Sequence, residues 1–303
     1  MGDDEALPLI FSQHSGTPAF GLMAAAVSAL SLSVVTTAAH FTYAGGADPV
    51  TLVAARAAVG FVFASALVLG LRHRPRFTGG DVPALAGMSA GQLMINFGYM
   101  TSVLYIPVSL AALIFYIFPV LVLAVDAALN RKWPTPAVAG AFLAAFAGLA
   151  LALAPSFETL DPRGLVAALA ATLGGTLLMI FGTRATRRVG GATVLFYMQL
   201  TACLVTATVM FGFGGPTPPI TGMGWAGLAV AAAGYVVGVG LQVVAVRNLD
   251  PAPASLIYNL EPLGTLVIAA LILGERLDGI QYLGCALVLG AVMTAGQRWA
   301  KGT

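Results

Sequence analysis

The chain has 303 residues, 59% of them hydrophobic and only 9% charged, with a net charge of +2. A soluble domain carries about 25% charged residues. With a mean hydropathy of +0.92, the composition excludes a water-soluble globule and points to an all-α, polytopic membrane protein. The basic residues form no single patch, which argues against a nucleic-acid partner. Cys203 and Cys285 lie inside apolar segments, unlike the loop-borne pairs of a disulfide framework.

Residues 1–17 carry Asp3, Asp4 and Glu5 and no Lys or Arg, so they lack the positive start of a signal peptide and read as a polar tail. Ten apolar segments follow, each near the ~20 residues that cross a bilayer: 18–43, 49–71, 82–104, 107–129, 134–154, 163–184, 191–212, 222–246, 252–273 and 278–298. Turn chemistry separates them, as at Gly45–Gly46–Ala47–Asp48–Pro49, Pro134–Thr135–Pro136 and Gly214–Gly215–Pro216. No alternating pattern long enough for a barrel occurs.

In the first span, Ser33 and Thr37 are candidates to face a cavity. His40, near the outer end, is either a wet end-of-helix residue or a proton relay. Arg56 lies two turns into the second span, where a guanidinium needs a partner or a route to water. It snorkels, or it attracts an anionic group. The third span carries Ser89, Gln92, Asn96 and Tyr99 on one helical face. Such a stripe lines a cavity or hydrogen-bonds neighbouring helices. The fourth holds Phe115, Tyr116 and Pro119, an aromatic stripe that either packs or walls a cavity, and Asp126, expected to pair with Arg131 and Lys132. The sixth offers Thr176, Met179 and Thr183. In the eighth, Tyr235, Gly238 and Gln242 share a face, and Gly238 permits either close packing or flexing. The run Gly238–Val239–Gly240 follows no strand and is not a dinucleotide fingerprint.

The ninth span carries Ser255, Tyr258, Asn259 and Glu261 at membrane depth, with Pro262. Proline removes a backbone hydrogen bond and kinks the helix, which is expected to free the carbonyl of Tyr258. With Asn259 and Tyr258 that carbonyl could hold a zwitterion. Glu261 either carries a proton or charge, or is hydrogen-bonded at the kink.

Lys and Arg set the orientation. With the N-terminus inside, eleven fall in inside loops or the tail (Arg72, Arg74, Arg76, Arg131, Lys132, Arg184, Arg187, Arg188, Arg247, Arg298, Lys301) and only Arg163 and Arg276 outside. Both termini are therefore expected in the cytoplasm.

The chain also repeats itself. At an offset of 143 residues (262 − 119), Gly21/Gly164, Leu22/Leu165, Leu52/Leu195, Gly91/Gly234, Leu113/Leu256, Ile114/Ile257 and Pro119/Pro262 are identical. The pairs join spans 1 to 6, 2 to 7, 3 to 8 and 4 to 9. Five spans per unit is odd, so the halves lie in opposite orientation, an inverted-topology 5+5 repeat of the kind found in alternating-access carriers. The divisions expected are a tail at 1–17, repeat one at 18–154, repeat two at 155–298 and a tail at 299–303, with Pro119 and Pro262 as hinges.

Leu260–Glu261–Pro262, Gly274–Glu275–Arg276–Leu277, Gln281–Tyr282–Leu283–Gly284 and Gly290 resemble the signature of the EamA-type transporters of the drug/metabolite transporter superfamily. A worn copy stands in the first half: Phe118–Pro119, Asn130–Arg131–Lys132–Trp133, Gly140 and Gly148. Arg131 replaces the Glu of the Gly–Glu–Arg pattern there. The resemblance covers about residues 18–297. It implies a ten-helix carrier of the bacterial inner membrane whose cavity is built by spans 1–4 and 6–9. It also implies a small-molecule substrate such as an amino acid, aromatic ones included, or alternatively a drug or organic cation. A monomer or homodimer in the lipid bilayer is expected, without cofactor or metal. An intramembrane enzyme would need a nucleophile or metal set that the sequence does not show, since it has no His–Glu–x–x–His and no Gly–x–Ser–x–Gly. A scaffold would need longer loops.

Overall fold

The computed structural model describes residues 17–158, 160–272 and 276–300. The tail 1–16 and the Gly274–Glu275 pair lie outside the described residues. The described chain is helical: α1 (Pro18–Ala44), α2 (Pro49–Gly70), α3 (Val82–Ser102), α4 (Val108–Phe115), α5 (Phe118–Asn130), α6 (Pro136–Leu153), α7 (Pro162–Val189), α8 (Gly191–Gly212), α9 (Gly222–Asn248), α10 (Pro251–Ile257), α11 (Leu260–Ile272) and α12 (Gly279–Ala300). Many starts follow one chemistry. α1, α2, α6 and α7 begin on a proline, whose missing N–H would be unsatisfied there anyway. Before them Thr17, Asp48, Thr135 and Asp161 cap a free backbone N–H with a side-chain oxygen.

Nine spans among the described residues are long and apolar enough to cross a membrane. The tenth is α3, 21 residues long. Ser89, Gln92 and Asn96 dilute its apolar character because this helix faces the interior of the bundle. Spans four and nine are broken, not merely kinked. α4 stops at Phe115 and α5 starts at Phe118; α10 stops at Ile257 and α11 starts at Leu260. Pro119 and Pro262 sit in the first turn of the second pieces, where a missing N–H costs nothing. The carbonyl of Tyr258 is not free as expected, because it accepts from the backbone N–H of Glu261 at 3.1 Å.

The bundle has a pseudo-twofold axis. α1 packs along α9 as α3 packs along α7, an exchange the repeat demands, while α2 crosses its own mate α8 and α6 crosses α12. The 143-residue register holds at the level of atoms. A Cβ on Gly21 would lie 2.8 Å from Leu249 and 3.0 Å from Asn248; a Cβ on Gly164 would lie 2.7 Å from Ile106 and 3.0 Å from Tyr105, the mates of those two residues. Likewise Gly91 abuts the carbonyl of Gly174 and Gly234 that of its mate, Ser31. Two five-span units, each odd in number, are thus interleaved upside down. Small residues let these backbones approach, the usual way helices associate where lipid offers no hydrophobic drive.

Gly238, expected to serve either close packing or flexing, takes part in this packing. α9 runs unbroken through it, and a Cβ there would meet Leu32 at 2.8 Å. Asp126 accepts from Asn130 at 2.9 Å instead of pairing with Arg131 or Lys132, because Arg131 leaves the helix in the left-handed conformation, φ 53°.

Candidate substrate cavity

A cavity of about 130 Å³ lies between the two repeats. Its wall is Leu32, Val35 and Thr36 of α1, Arg56 of α2, Gln92, Ile95 and Asn96 of α3, Phe115 of α4, Phe118 of α5, Gly175, Leu178 and Met179 of α7, Tyr235, Val239 and Gln242 of α9, Tyr258 in the α10–α11 break, and Glu261 of α11. Fourteen of these seventeen residues form seven mates at the 143-residue offset: Leu32/Gly175, Val35/Leu178, Thr36/Met179, Gln92/Tyr235, Asn96/Val239, Phe115/Tyr258 and Phe118/Glu261. The cavity is therefore centred on the axis relating the repeats.

Shape is symmetric but chemistry is not. Repeat one supplies Arg56 with two amides. Arg56 Nη2 donates to Asn96 Oδ1 at 2.9 Å, and Gln92 Nε2 reaches the same oxygen at 3.4 Å. Repeat two supplies Glu261, whose carboxylate lies beside the hydroxyl of Tyr116. Phenols brace the wall. Tyr235 donates to Gln199 Oε1 at 3.2 Å and lies under the Arg56 guanidinium, 5.1 Å from ring centroid to Cζ. Tyr258 donates to Ser28 Oγ at 2.8 Å, and Ser28 donates onward to the carbonyl of Gly238 at 2.6 Å. Among the described residues no ion pair joins Arg56 to Glu261, so the cavity keeps both signs of charge apart. Among the described residues there is also no cluster of three metal-ligating side chains.

Of the residues singled out in the sequence, Arg56, Gln92, Asn96, Phe115, Met179, Tyr235, Gln242, Tyr258 and Glu261 stand on this wall. Others are held away from it by bonds of their own. Asn259, in the α10–α11 break, donates to the carbonyl of Leu256, and Ser255 donates to that of Ala252 within α10. Thr37, Thr176 and Thr183 return to their own helices, as does Ser33. Tyr99 stacks edge-on against Phe115 at 5.8 Å, one layer behind. Tyr116 is buried behind the wall beside Glu261, and Ser89 is buried one turn before Gln92, off the wall. His40 is exposed near the end of α1, against Phe41. Pro119 and Pro262 flank the wall without lining it. Phe118, Leu32, Val35 and Leu178 were not anticipated; Phe118 is visible as the mate of Glu261 once the offset is applied, whereas Leu32, Val35 and Leu178 are apolar and have mates that carry no signal either.

A search of curated proteins finds no match. Solved structures do match. One, described only as the crystal structure of a protein, superposes with a TM-score of 0.75 at 20% identity, covering 91% of this chain and 96% of that one, which establishes the fold. The profile of the EamA-like transporter family matches twice, at residues 19–154 and 162–296. Those two matches coincide with the two halves whose mates build the cavity, and the chain belongs to the EamA-like transporter family, membrane transporters of the drug/metabolite transporter superfamily.

Proposed function

We propose that this transporter exports small amino acids across the bacterial inner membrane by alternating access, with both termini in the cytoplasm. The observation carrying this reading is the pair of unpaired opposite charges, Arg56 and Glu261, on the wall of one cavity. Charges at membrane depth are costly and usually mark a substrate path. A zwitterion offers a counter-charge to each at once. The rest of the wall is aromatic and aliphatic, which accommodates a side chain.

Size favours an amino acid over a drug. The cavity volume of about 130 Å³ is well below the roughly 300–1,000 Å³ of pockets for drug-sized ligands. The pseudo-twofold supports alternating access, since exchanging the conformations of two inverted repeats turns an inward-facing carrier outward. No nucleotide-binding motif occurs in the sequence, so the reading is of a secondary transporter and not of a pump driven directly by ATP.

The test is flux of radiolabelled L-alanine, L-threonine, L-valine, L-leucine and L-phenylalanine into liposomes holding the purified protein. Saturable flux of at least one, favouring the smaller, is expected. Flux of none, together with protection of cells against cationic drugs, would replace this reading with multidrug efflux.

A further inference from the structure

Two hydrogen-bond donors on the cavity wall have no partner: Nε of Arg56 and Nδ2 of Asn96, both buried. Asn96 as a residue is 6% exposed. Buried donors are normally satisfied, and a bare one points to a missing group. Resting on the reading of the protein as an amino acid carrier, we propose that Arg56 and Asn96 together form the subsite for the substrate's carboxylate.

The orientation of Asn96 is fixed by its neighbours. Its oxygen accepts from Arg56 Nη2 and faces Gln92 Nε2; a flipped amide would set donor against donor. Its nitrogen is thereby turned away from both. Arg56 is held in turn. Its guanidinium lies over the Tyr235 ring, and the Tyr235 hydroxyl is anchored on Gln199. Gln199 fits because residue 60 is glycine; any Cβ there would overlap the Gln199 amide. The guanidinium thus has its face and one Nη engaged while Nε stays free.

The ligand that suits these atoms is acceptor-only, negatively charged and two-oxygened. A carboxylate takes both N–H groups and compensates the Arg56 charge in charge-assisted bonds. An ammonium would be repelled, and a primary amide would leave the charge uncompensated. The subsite is single. The mates of Arg56 and Asn96 are Gln199 and Val239, of which one carries no charge and the other no donor. Glu261, on the same wall and in repeat two, receives the other end of the substrate.

The experiment pairs whichever of the five amino acids gives flux with its own primary amide, as competitors in full-length protein in liposomes. The acid should compete roughly tenfold or more better than the amide, since a site built for a polar group rejects analogues lacking it. That preference should vanish in Arg56→Gln and shrink in Asn96→Leu, while Arg56→Lys, which keeps the charge, restores part of it. A general folding defect lowers flux of both competitors alike and leaves their ratio untouched. Equal competition by acid and amide in the wild type, with flux intact, overturns the subsite but not the carrier. Saturable thermal stabilisation by chloride that disappears in Arg56→Gln, without acid–amide discrimination, assigns the donors to a free anion and also overturns it. Absence of flux for all five removes the underlying reading instead.

Discussion

Phe118 and Glu261 occupy the same position of the two repeats and reach the same cavity from opposite sides of its axis. Duplication built two equal walls, and the two copies then took different chemistry. An aromatic ring stands on one side and a carboxylate on the other. The same divergence separates Gln92 from Tyr235 and Asn96 from Val239. A symmetric chamber would recognise a symmetric solute; this one has a cationic and an anionic end.

That polarity predicts how Glu261→Gln behaves. If the carboxylate receives the substrate's ammonium, the variant should raise KM for the transported amino acid about tenfold or more, by analogy with other desolvated charge contacts. The matching α-hydroxy acid, which has no ammonium, should be handled equally by variant and wild type. Parallel KM measurements on the two solutes check this; equal losses on both would assign Glu261 to structure alone.

Gly175 abuts the Phe118 ring on the cavity wall. A Cβ there would lie 2.9 Å from the Phe118 ring, so Gly175→Ala pushes that ring into the cavity. Flux of L-leucine or L-phenylalanine should fall several-fold relative to L-alanine, whereas Phe118→Ala should shift the ratio the other way. Competition assays with paired isotopes measure the ratio directly.

The small-residue seams carry stability. A Cβ on Gly91 would lie 2.6 Å from the Gly174 carbonyl, and one on Gly174 2.7 Å from the Gly91 carbonyl. Backbone against backbone cannot yield, so Gly91→Ala and Gly174→Ala should each cost about 1–3 kcal/mol, the usual range for overpacking. Gly290, with nothing within 4 Å, should accept alanine without loss. Thermal unfolding of the three variants in detergent tests the contrast.

How far the sequence disclosed this site depends on the kind of residue. Arg56, Asn96 and Glu261 stand out because a polar group at membrane depth must face something, and the repeat offset put them on central helices. The same rule misplaced Asn259 and Ser255. Their polar groups are consumed by local backbone carbonyls, those of Leu256 and Ala252, and a break cannot be told from a kink by the presence of Pro262 alone. Gly238 illustrates the other limit. Glycine serves packing and flexing alike in sequence, and the Leu32 side chain against it comes into view only in the structure. The apolar wall residues carry no signal of their own in a chain this hydrophobic.

The rim beside the α2–α3 loop yields the last prediction. That loop is fastened to the α7–α8 junction by several contacts. His73 Nε2 meets Thr193 Oγ1 at 2.8 Å, Tyr197 donates to the carbonyl of Pro75 at 3.1 Å, and Phe77 stacks edge-on against Tyr197 at 5.0 Å. Arg188 donates to the carbonyl of Gly80 at 2.9 Å and lies 3.7 Å from Asp81. The equivalent fastening on the other rim also involves a carboxylate: Ile220 donates to the carbonyl of Gly45 and Thr217 to Thr51 Oγ1, both from backbone N–H groups, and the Thr51 hydroxyl donates to Asp48 at 2.9 Å. Asp81 is held below the usual carboxylate range, first by the Thr78 backbone N–H, then by its hydroxyl, with Arg188 adding to them. A depressed folded pKa gives a contact present above the unfolded value and lost as pH falls through the folded one. With an ordinary Asp near 3.9, the fastening should hold throughout the physiological range and loosen only below about pH 4. Hydrogen exchange of a peptide covering residues 72–82, corrected for intrinsic rates, should therefore show unchanged protection between about pH 5 and pH 8 and a loss only below about pH 4. Asp81→Asn should remove the pH dependence and lower protection across the whole range, while exchange at residues 45–51 on the opposite rim stays as in the wild type. An acid-induced loss at residues 72–82 that persists in Asp81→Asn would show that another group governs this rim.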